Sequence, residues 1–230
     1  MMKAMILAAG KGERMRPLTL HTPKPLLQAG DKSLIAHQIE KLADNGFSDL
    51  VINHAWLGEK MEAALGNGEA LGVSINWSRE HEPLESAGGI IQALPLLVSN
   101  ADCASFVCVN ADIWTDFSFK KLPLVDGKAL LAWLVLVDNP EHHPEGDFFL
   151  VDGRIREARQ GEHKLTFSGI AVYHPTLFEG IPAGKQSIVP LLKQAMARGK
   201  VGGEYYAGEW SDIGTVQRLQ SLDAKLKTQT

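Results

Sequence analysis

A glycine-rich loop follows the first apolar segment of the chain, and positive side chains lie within it and shortly after it. The loop runs from Ala8 to Arg14, and Lys24 stands between two prolines further along. Glycines permit positive φ angles and let backbone N–H groups approach an anionic oxygen closely. Lys11, Arg14 and Lys24 add mobile positive charge around such a loop. These residue types predict a polyphosphate-binding site.

Two standard phosphate-binding motifs do not match this loop. The P-loop needs a glycine, four residues and then Gly-Lys-Ser/Thr, and neither Gly10 nor Gly12 stands in that pattern. The dinucleotide fingerprint needs a third glycine where Met15 stands. Taken alone, the loop could also be a surface turn with solvated charges.

A carboxylate ends another apolar segment. Asp112 closes the run Val109–Asp112 and is expected at the carboxyl edge of a sheet, where open α/β sheets bind ligands. A polyphosphate site is often completed by a hard cation that gathers phosphate oxygens, and carboxylates are the natural ligands of such a cation. The alternative is a strand-end aspartate that only caps a turn.

Alternating strands and helices must position these groups in the first half of the chain. Their spacing favours a doubly wound, mostly parallel α/β sheet with right-handed crossovers. The predicted elements are strand Lys3–Ala9, helix Leu34–Leu42 capped by Ser33 and stopped at Asn45-Gly46, strand Leu50–Asn53, helix Trp56–Leu65, strand Val73–Ser78, short helix Gly88–Leu94 closed by Pro95, and strand Ser105–Asn110.

The second half is richer in antiparallel strands. Its predicted elements are strand Ala129–Val137, hairpin Phe148–Ile155 around Asp152-Gly153, strand Leu165–Tyr173, helix Ile188–Arg198, and helix Thr215–Lys227 with Thr215 as a possible cap. The polar loop Pro140–Asp147 could lie over a pocket.

Composition limits the function classes. The 230 residues are 45% hydrophobic and 22% charged with a net charge of −4, which is typical of a soluble globular protein and shows no global nucleic-acid footprint. No segment has transmembrane length, and the first apolar run favours a core strand over a signal peptide. Two cysteines, Cys103 and Cys108, are too few for a disulfide scaffold, so we expect a cytoplasmic protein. The histidines show no metal-ligand spacing and are expected to be solvated or structural.

The segments Leu7–Thr19 and Pro23–Leu26 resemble those of the sugar-phosphate nucleotidyltransferases. The resemblance implies that the loop lies over a nucleoside triphosphate, that Arg14 contacts its β- and γ-phosphates, and that Lys24 lies beside the reacting phosphates. Glu85–Ile90 is similar to a family segment whose helix start lies near the nucleobase. The implied nucleotide-binding residues are Ala8, Ala9, Gly10, Lys11, Gly12, Glu13, Arg14, Lys24, Gly88 and Asn110.

The same resemblance implies a Mg²⁺ site and a sugar site. Val109–Asp112 is similar to the family's Asn/Gly-Gly-Asp, with Ala111 in place of glycine, and Trp210–Thr215 is similar to its Trp-x-Asp-x-Gly-Thr. Asp112 and Asp212 would therefore hold Mg²⁺, and Arg14, Lys24 and Asp112 would be catalytic. Taken alone, Asp212 and its neighbours would indicate only the start of a helix. The implied sugar-binding residues are Gly146, Glu157, Ser168 and Gly169, although the family's Glu-Lys-Pro here reads Glu157-Ala158-Arg159.

The implied reaction is attack by a sugar-1-phosphate oxygen on the α-phosphorus of a nucleoside triphosphate, with release of pyrophosphate. We expect a single domain over 1–230, with a nucleotide-binding half (about 1–112) and a sugar-binding half (about 113–230). We also expect it to be monomeric and without an appended β-helix. Leu84–Gly89 and Leu165–Ile170 are most similar to family members that use UTP and N-acetylmuramate α-1-phosphate in cell-wall recycling. The alternatives are mannose-1-phosphate guanylyltransferase, glucose-1-phosphate thymidylyl- or uridylyltransferase, and a non-catalytic nucleotide-sugar sensor.

Overall fold

A computed structural model describes residues 2–98, 105–157 and 161–228 of the chain. Cys103, Ala158 and Arg159 lie outside these residues. The strands are β1 (Ala4–Leu7), β2 (Gln28–Ala29), β3 (Lys32–Ser33), β4 (Asp49–His54), β5 (Ser74–Arg79), β6 (Phe106–Asn110), β7 (Ile113–Thr115), β8 (Ala132–Val137), β9 (Phe149–Val151), β10 (Arg154–Arg156), β11 (Thr166–Tyr173), β12 (Val201–Tyr205) and β13 (Trp210–Asp212).

In the described residues, five α-helices and several short 3₁₀ turns connect the strands. The helices are α1 (Leu34–Asp44), α2 (Gly58–Leu65), α3 (Glu85–Leu97), α4 (Val189–Ala197) and α5 (Val216–Thr228). The 3₁₀ turns are Glu13–Met15, Leu18–Leu20, Lys24–Leu26, Glu69–Leu71, Phe119–Lys121 and Pro175–Phe178. In the part of the chain that the structure describes, none of these helices has the length and apolar character to cross a lipid bilayer.

The described strands form a nine-stranded mixed sheet with the order β5-β4-β1-β6-β11-β8-β12-β10-β9. The first four run parallel, β11 is antiparallel to its neighbours β6 and β8, and β12 is parallel to β8. The apolar residues of β1, which lies between β4 and β6, pack on both faces of the sheet, with Met5 in one layer and Ala4 and Ile6 in the other. This arrangement confirms the predicted α/β class, with a parallel first half and more antiparallel pairing in the second.

Local predictions are confirmed where a specific side chain or turn sets the structure. The Ser33 hydroxyl accepts a hydrogen bond from the Ala36 amide at 3.3 Å and so caps α1. Strands β9 and β10 form the predicted hairpin, with Val151 opposite Arg154 across the two-residue turn. The Thr215 hydroxyl accepts a hydrogen bond from the Arg218 amide at 3.3 Å at the start of α5.

Two predicted elements have boundaries three residues away from those in the structure. The helix predicted as Gly88–Leu94 is α3, which begins at Glu85 and ends at Leu97, beyond Pro95. Pro95 lies in the last turn, where its missing N–H removes only one hydrogen bond, and buried apolar residues continue to Leu97. The strand predicted from Ala129 begins at Ala132, because the Asp126 carboxylate accepts the amides of residues 128–130 and folds them into a turn.

Apolar layers cover both faces of the sheet. Helices α3 and α4 pack on one face, and α1 and α2 pack on the other. A smaller cluster joins Met15, at the end of the glycine-rich loop, to Ile213 and to Leu219 and Leu222 of α5. The C-terminal helix therefore packs beneath the loop and holds it against the segment that contains Asp212.

Candidate active site

A cavity of about 680 Å³ lies at the carboxyl ends of β1 and β6. One wall is the glycine-rich loop, a second is the end of β6, and the opposite wall comes from the residues before and within the first turn of α3. The lining residues are Leu7, Ala8, Ala9, Gly10, Lys11, Gly12, Glu13, Arg14, Met15, Lys24, Pro25, Asn53, Glu82, Pro83, Glu85, Ser86, Asn110, Ala111, Asp112, Lys185 and Gly214. The structure thus brings most of the predicted nucleotide-binding residues together.

The loop and Lys24 form one packed unit around Gly12. Gly12 has a φ of +63°, and a Cβ there would lie 2.9 Å from Thr19 Cγ2 and 3.1 Å from Lys24 Cβ. The Thr19 hydroxyl donates a hydrogen bond to the Gly12 carbonyl at 2.8 Å. Because both the backbone conformation and the space require glycine, this residue fixes the loop against the lysine.

Lys24 lines the cavity and forms an ion pair with Asp112. Its Nζ donates to Asp112 Oδ2 at 2.5 Å, and Lys24 is only 9% exposed. The Asp112 side chain is 37% exposed and that of Lys24 only 11%, and both residues line the cavity. A charge-assisted hydrogen bond of this length orients both groups.

A two-stranded ribbon brings Asp212 next to Asp112. Strands β7 and β13 pair antiparallel, with Asp212 opposite Ile113. The Ile213 amide donates to the Asp112 carbonyl at 2.6 Å. Two aspartates that are far apart in sequence are therefore held on adjoining backbones. Asp112 and Gly214 line the cavity, whereas Asp212 is not among its lining residues.

Asp212 has two side-chain partners that the sequence did not indicate. Arg218 Nη1 donates to Asp212 Oδ1 at 2.7 Å, and His142 Nε2 lies 2.9 Å from the same oxygen. His142 and Arg218 also contact each other. His142 belongs to the polar loop 140–147, so this loop reaches the site. No spacing rule links either residue to Asp212, because tertiary packing makes both contacts.

Two cations at the cavity, Lys11 and Arg14, have no carboxylate partner in the described part of the chain. Lys11 and Arg14 are exposed, and within residues 2–98, 105–157 and 161–228 neither makes an ion pair. Arg14 Nη2 lies 3.1 Å from the position that a Cβ on Gly214 would take, so the guanidinium reaches from the loop to the ribbon. Their free positive charge suits a polyphosphate anion.

Comparison with known proteins places this site in a family. A sequence model described as nucleotidyl transferase matches residues 3–146. A protein of Neisseria meningitidis named N-acetylmuramate alpha-1-phosphate uridylyltransferase is 47% identical over 97% of this chain and 97% of its own.

The chain belongs to the nucleotidyl transferase family.

Other relatives agree with this assignment, and a solved structure has the same fold. A Caulobacter vibrioides protein with the same name is 34% identical over 97% of this chain and 96% of its own. The mannose-1-phosphate guanylyltransferase catalytic subunit beta of Xenopus tropicalis is 31% identical over 93% of this chain and 61% of its own. A structure of a Bacillus anthracis glucose-1-phosphate thymidylyltransferase has a TM-score of 0.82 at 22% identity, covering 99% of this chain and 96% of its own, which shows the shared fold.

A buried polar network lies under the cavity of this nucleotidyl transferase. Asn53 Oδ1 accepts from the Ala8 amide at 2.8 Å, and Asn53 Nδ2 donates to Glu80 Oε1 at 2.7 Å. Glu80 Oε2 accepts from the Leu84 amide at 2.8 Å, just before α3. Burial raises the pKa of Glu80. This network, which has no sequence motif, ties the start of the loop to the opposite wall.

Gly88 lies further into α3 than the sequence suggested. It is the fourth residue of α3, and its amide donates to the Gln186 carbonyl at 3.1 Å. A Cβ on Gly88 would lie 2.2 Å from the Gly184 carbonyl oxygen. Glu85 and Ser86 line the cavity instead. Gly88 therefore allows α3 to approach the 184–186 segment, and its role near a nucleobase stays a prediction.

The four residues predicted to bind sugar are outside the lining of the cavity. Gly169 is nearest, because its Cβ position is 2.6 Å from Asn110 Nδ2, and Asn110 lines the cavity. The buried Ser168 hydroxyl donates to the Val135 carbonyl at 2.8 Å. Gly146 packs against Asn139, and Glu157 pairs with Lys193 at 2.5 Å. Their contribution to sugar binding stays a prediction.

Proposed function

We propose that this enzyme transfers a uridylyl group from UTP to N-acetylmuramate α-1-phosphate and releases pyrophosphate. The observation that carries the chemistry is the Lys24–Asp112 pair at 2.5 Å, held beside Asp212 by the β7–β13 ribbon. The substrate assignment is supported by the Neisseria meningitidis relative, which covers almost the whole chain. The Caulobacter vibrioides relative supports the same substrate.

The donor set fits a magnesium ion, and we propose that Asp112 and Asp212 hold it. Among the described residues, no group of three or more His, Cys, Asp and Glu side chains could hold a metal by itself. Two carboxylates suit Mg²⁺ because this ion keeps waters and takes further ligands from substrate phosphates. When bound, Mg²⁺ would neutralise phosphate charge that develops during transfer.

The chain's own residues would position the reactants. The sugar-1-phosphate oxygen is already anionic, so the reaction needs no general base, and catalysis depends on alignment and charge neutralisation. Lys24, the buried cation, would align the phosphates next to Asp112. Arg14, exposed on the loop and unpaired among described residues, would hold the leaving pyrophosphate. The backbone of the loop around Gly10 and Gly12 would approach the triphosphate.

Turnover with a substrate panel tests the proposal. Pyrophosphate release would be measured with UTP, GTP, dTTP and CTP against N-acetylmuramate α-1-phosphate, mannose-1-phosphate and glucose-1-phosphate, with Mg²⁺. We expect the highest kcat/KM for UTP with N-acetylmuramate α-1-phosphate. Preference for GTP with mannose-1-phosphate, the reaction named for the Xenopus tropicalis relative, would overturn the substrate assignment.

A nucleotide-sugar sensor on the same fold is the remaining alternative. A sensor could lose the charged groups at little cost to folding, whereas Arg14, Lys24, Asp112 and Asp212 are all present at the cavity and ribbon. This retention favours an enzyme. Nucleotide binding without pyrophosphate release from any pair in the panel would favour the sensor.

We further propose that the enzyme is a cytoplasmic monomer, since nucleoside triphosphates are available in that compartment. Light scattering coupled to gel filtration would give the mass of one 25.1 kDa chain. A mass of two or more chains at working concentrations would contradict the monomer.

A further inference from the structure

Both partners of Asp212 contact the same carboxylate oxygen. Arg218 Nη1 donates to Oδ1 at 2.7 Å, and His142 Nε2 lies 2.9 Å from Oδ1. Among the described residues, no hydrogen-bond donor reaches Oδ2. One oxygen of Asp212 is therefore held by the protein, and the other keeps its lone pairs available for a ligand.

The free oxygen lies near Gly214, a residue that lines the cavity. Oδ2 is 3.3 Å from the position that a Cβ on Gly214 would take, and Gly214 lines the cavity. Arg218 Nη2 and Arg14 Nη2 lie 2.4 Å and 3.1 Å from that same position. The space left by the missing side chain at Gly214 is thus shared by one carboxylate oxygen and two guanidinium groups.

Arg218 has the burial and attachment needed to fix this geometry. Its side chain is 19% exposed, and it projects from the first turn of α5, where Thr215 accepts the Arg218 amide. Leu219 and Leu222 anchor the same helix in the cluster that contains Met15 and Ile213. The guanidinium is consequently held on a rigid element, and its planar donor geometry restricts rotation of the carboxylate.

We propose that Arg218 is a positioning residue that locks the Asp212 carboxylate with Oδ2 turned toward the cavity, so that the metal proposed above meets a preoriented ligand. This inference rests on the proposed function, because it needs Asp212 to be a metal ligand. Groups that orient a metal ligand change metal affinity by about ten- to a hundredfold when they are removed. Arg218 acts through Asp212 and does not need to touch substrate.

The test compares Arg218→Gln, Arg218→Lys and the control Lys227→Gln. Lys227 lies on the same helix and donates to Asp223 at 2.7 Å, so its replacement removes a positive charge and a carboxylate contact away from the site. Mg²⁺ dependence of pyrophosphate release gives one measurement. Mn²⁺ titration by electron paramagnetic resonance, with α,β-methylene UTP present and no turnover, gives metal affinity directly.

For Arg218→Gln we expect the half-saturating Mg²⁺ concentration and the Mn²⁺ Kd to rise about ten- to a hundredfold, with kcat at saturating Mg²⁺ within about threefold of the wild type. Arg218→Lys should recover part of the affinity, because one donor remains, and Lys227→Gln should match the wild type. Unchanged metal affinity in Arg218→Gln, or an equal change in Lys227→Gln, would overturn the inference.

A further variant separates failure of this inference from failure of the proposed function. Asp212→Asn should lose metal affinity whether or not Arg218 has the positioning role. If Asp212→Asn weakens Mn²⁺ binding and Arg218→Gln does not, Asp212 remains a ligand and the role of Arg218 is refuted. If Asp212→Asn leaves Mn²⁺ binding unchanged, the metal assignment itself is wrong, and the inference falls with it.

Discussion

Replacing Lys24 by methionine should move metal affinity and turnover in opposite directions. Lys24 Nζ is 2.5 Å from Asp112 Oδ2, so a cation that binds Asp112 must compete with the ammonium for this carboxylate. Methionine keeps the length and the apolar stem and removes the charge. The same substitution also removes the buried cation that would align the phosphates during transfer.

The two effects have different magnitudes. A hydrogen bond to a charged group contributes about 1.5–3 kcal/mol. Each 1.4 kcal/mol corresponds to about a tenfold change in affinity. Removal of the Lys24–Asp112 hydrogen bond, which competes with the metal, should therefore tighten metal binding by about ten- to a hundredfold. Loss of one preorganised charge-stabilising group lowers kcat by about a hundred- to a thousandfold. The Asp112 side chain is 37% exposed and can be rehydrated, so the Tm should fall by only a few degrees.

Two assays on the same preparation test this prediction. Calorimetric titration with Mg²⁺ gives the Kd, and continuous pyrophosphate detection gives kcat. Lys11→Met is the matched control, because Lys11 lines the same cavity from the glycine-rich loop and makes no ion pair with Asp112; its metal affinity should equal that of the wild type. A Lys24→Met protein that is folded and keeps wild-type kcat would refute the role of Lys24. Unchanged or weaker Mg²⁺ binding would refute the competition for Asp112.

Three further predictions concern packing and ionisation. Gly88→Ala should destabilise the fold by about 1–3 kcal/mol, because its Cβ would lie 2.2 Å from the Gly184 carbonyl oxygen; an unchanged urea midpoint would contradict the close approach. Two hydrogen bonds from Arg79 lower the pKa of Glu62 from its ordinary value of 4.5 to about 2. These bonds therefore stabilise the folded protein fully above pH 4.5, and the stabilisation is lost as the pH falls toward 2. The stability gap between the wild type and Glu62→Gln should therefore narrow over that range, and a gap independent of pH would show that the ion pair is not its source. Cys108 is buried, and burial raises the pKa of its thiol. In a variant with the other cysteine replaced by serine, the Cys108 thiol should react with Ellman's reagent only after unfolding. Rapid reaction of the native protein would show that the thiol is not buried.

Residue types and strand ends were sufficient to predict that Asp112 lies at the carboxyl edge of the sheet and that Lys24 lies beside the glycine-rich loop. Asp112 ends a buried strand, and the carboxyl ends of parallel strands meet at one edge of a sheet, which is where the cavity lies. The place of Asp212 required resemblance to a family motif, because its pairing opposite Ile113 joins segments that are far apart in sequence.

The supporting residues could not be predicted in the same way. Arg218 reaches Asp212 because α5 packs in the cluster that contains Met15 and Ile213. The Asn53–Glu80 contact joins the ends of two neighbouring strands. Neither contact has a fixed sequence spacing. The extent of α3 was underestimated because a proline in the last turn looks like a stop signal, although it costs only one hydrogen bond there.

Following the fate of each phosphate of UTP tests the central claim most directly. The enzyme would be incubated with Mg²⁺, N-acetylmuramate α-1-phosphate and UTP labelled at either the α- or the γ-phosphate, and the products would be separated by chromatography. Nucleotidyl transfer predicts that the α label appears in the nucleotide sugar and the γ label appears in pyrophosphate. Transfer of the γ label to the sugar phosphate, or no α label in a nucleotide sugar, would contradict it.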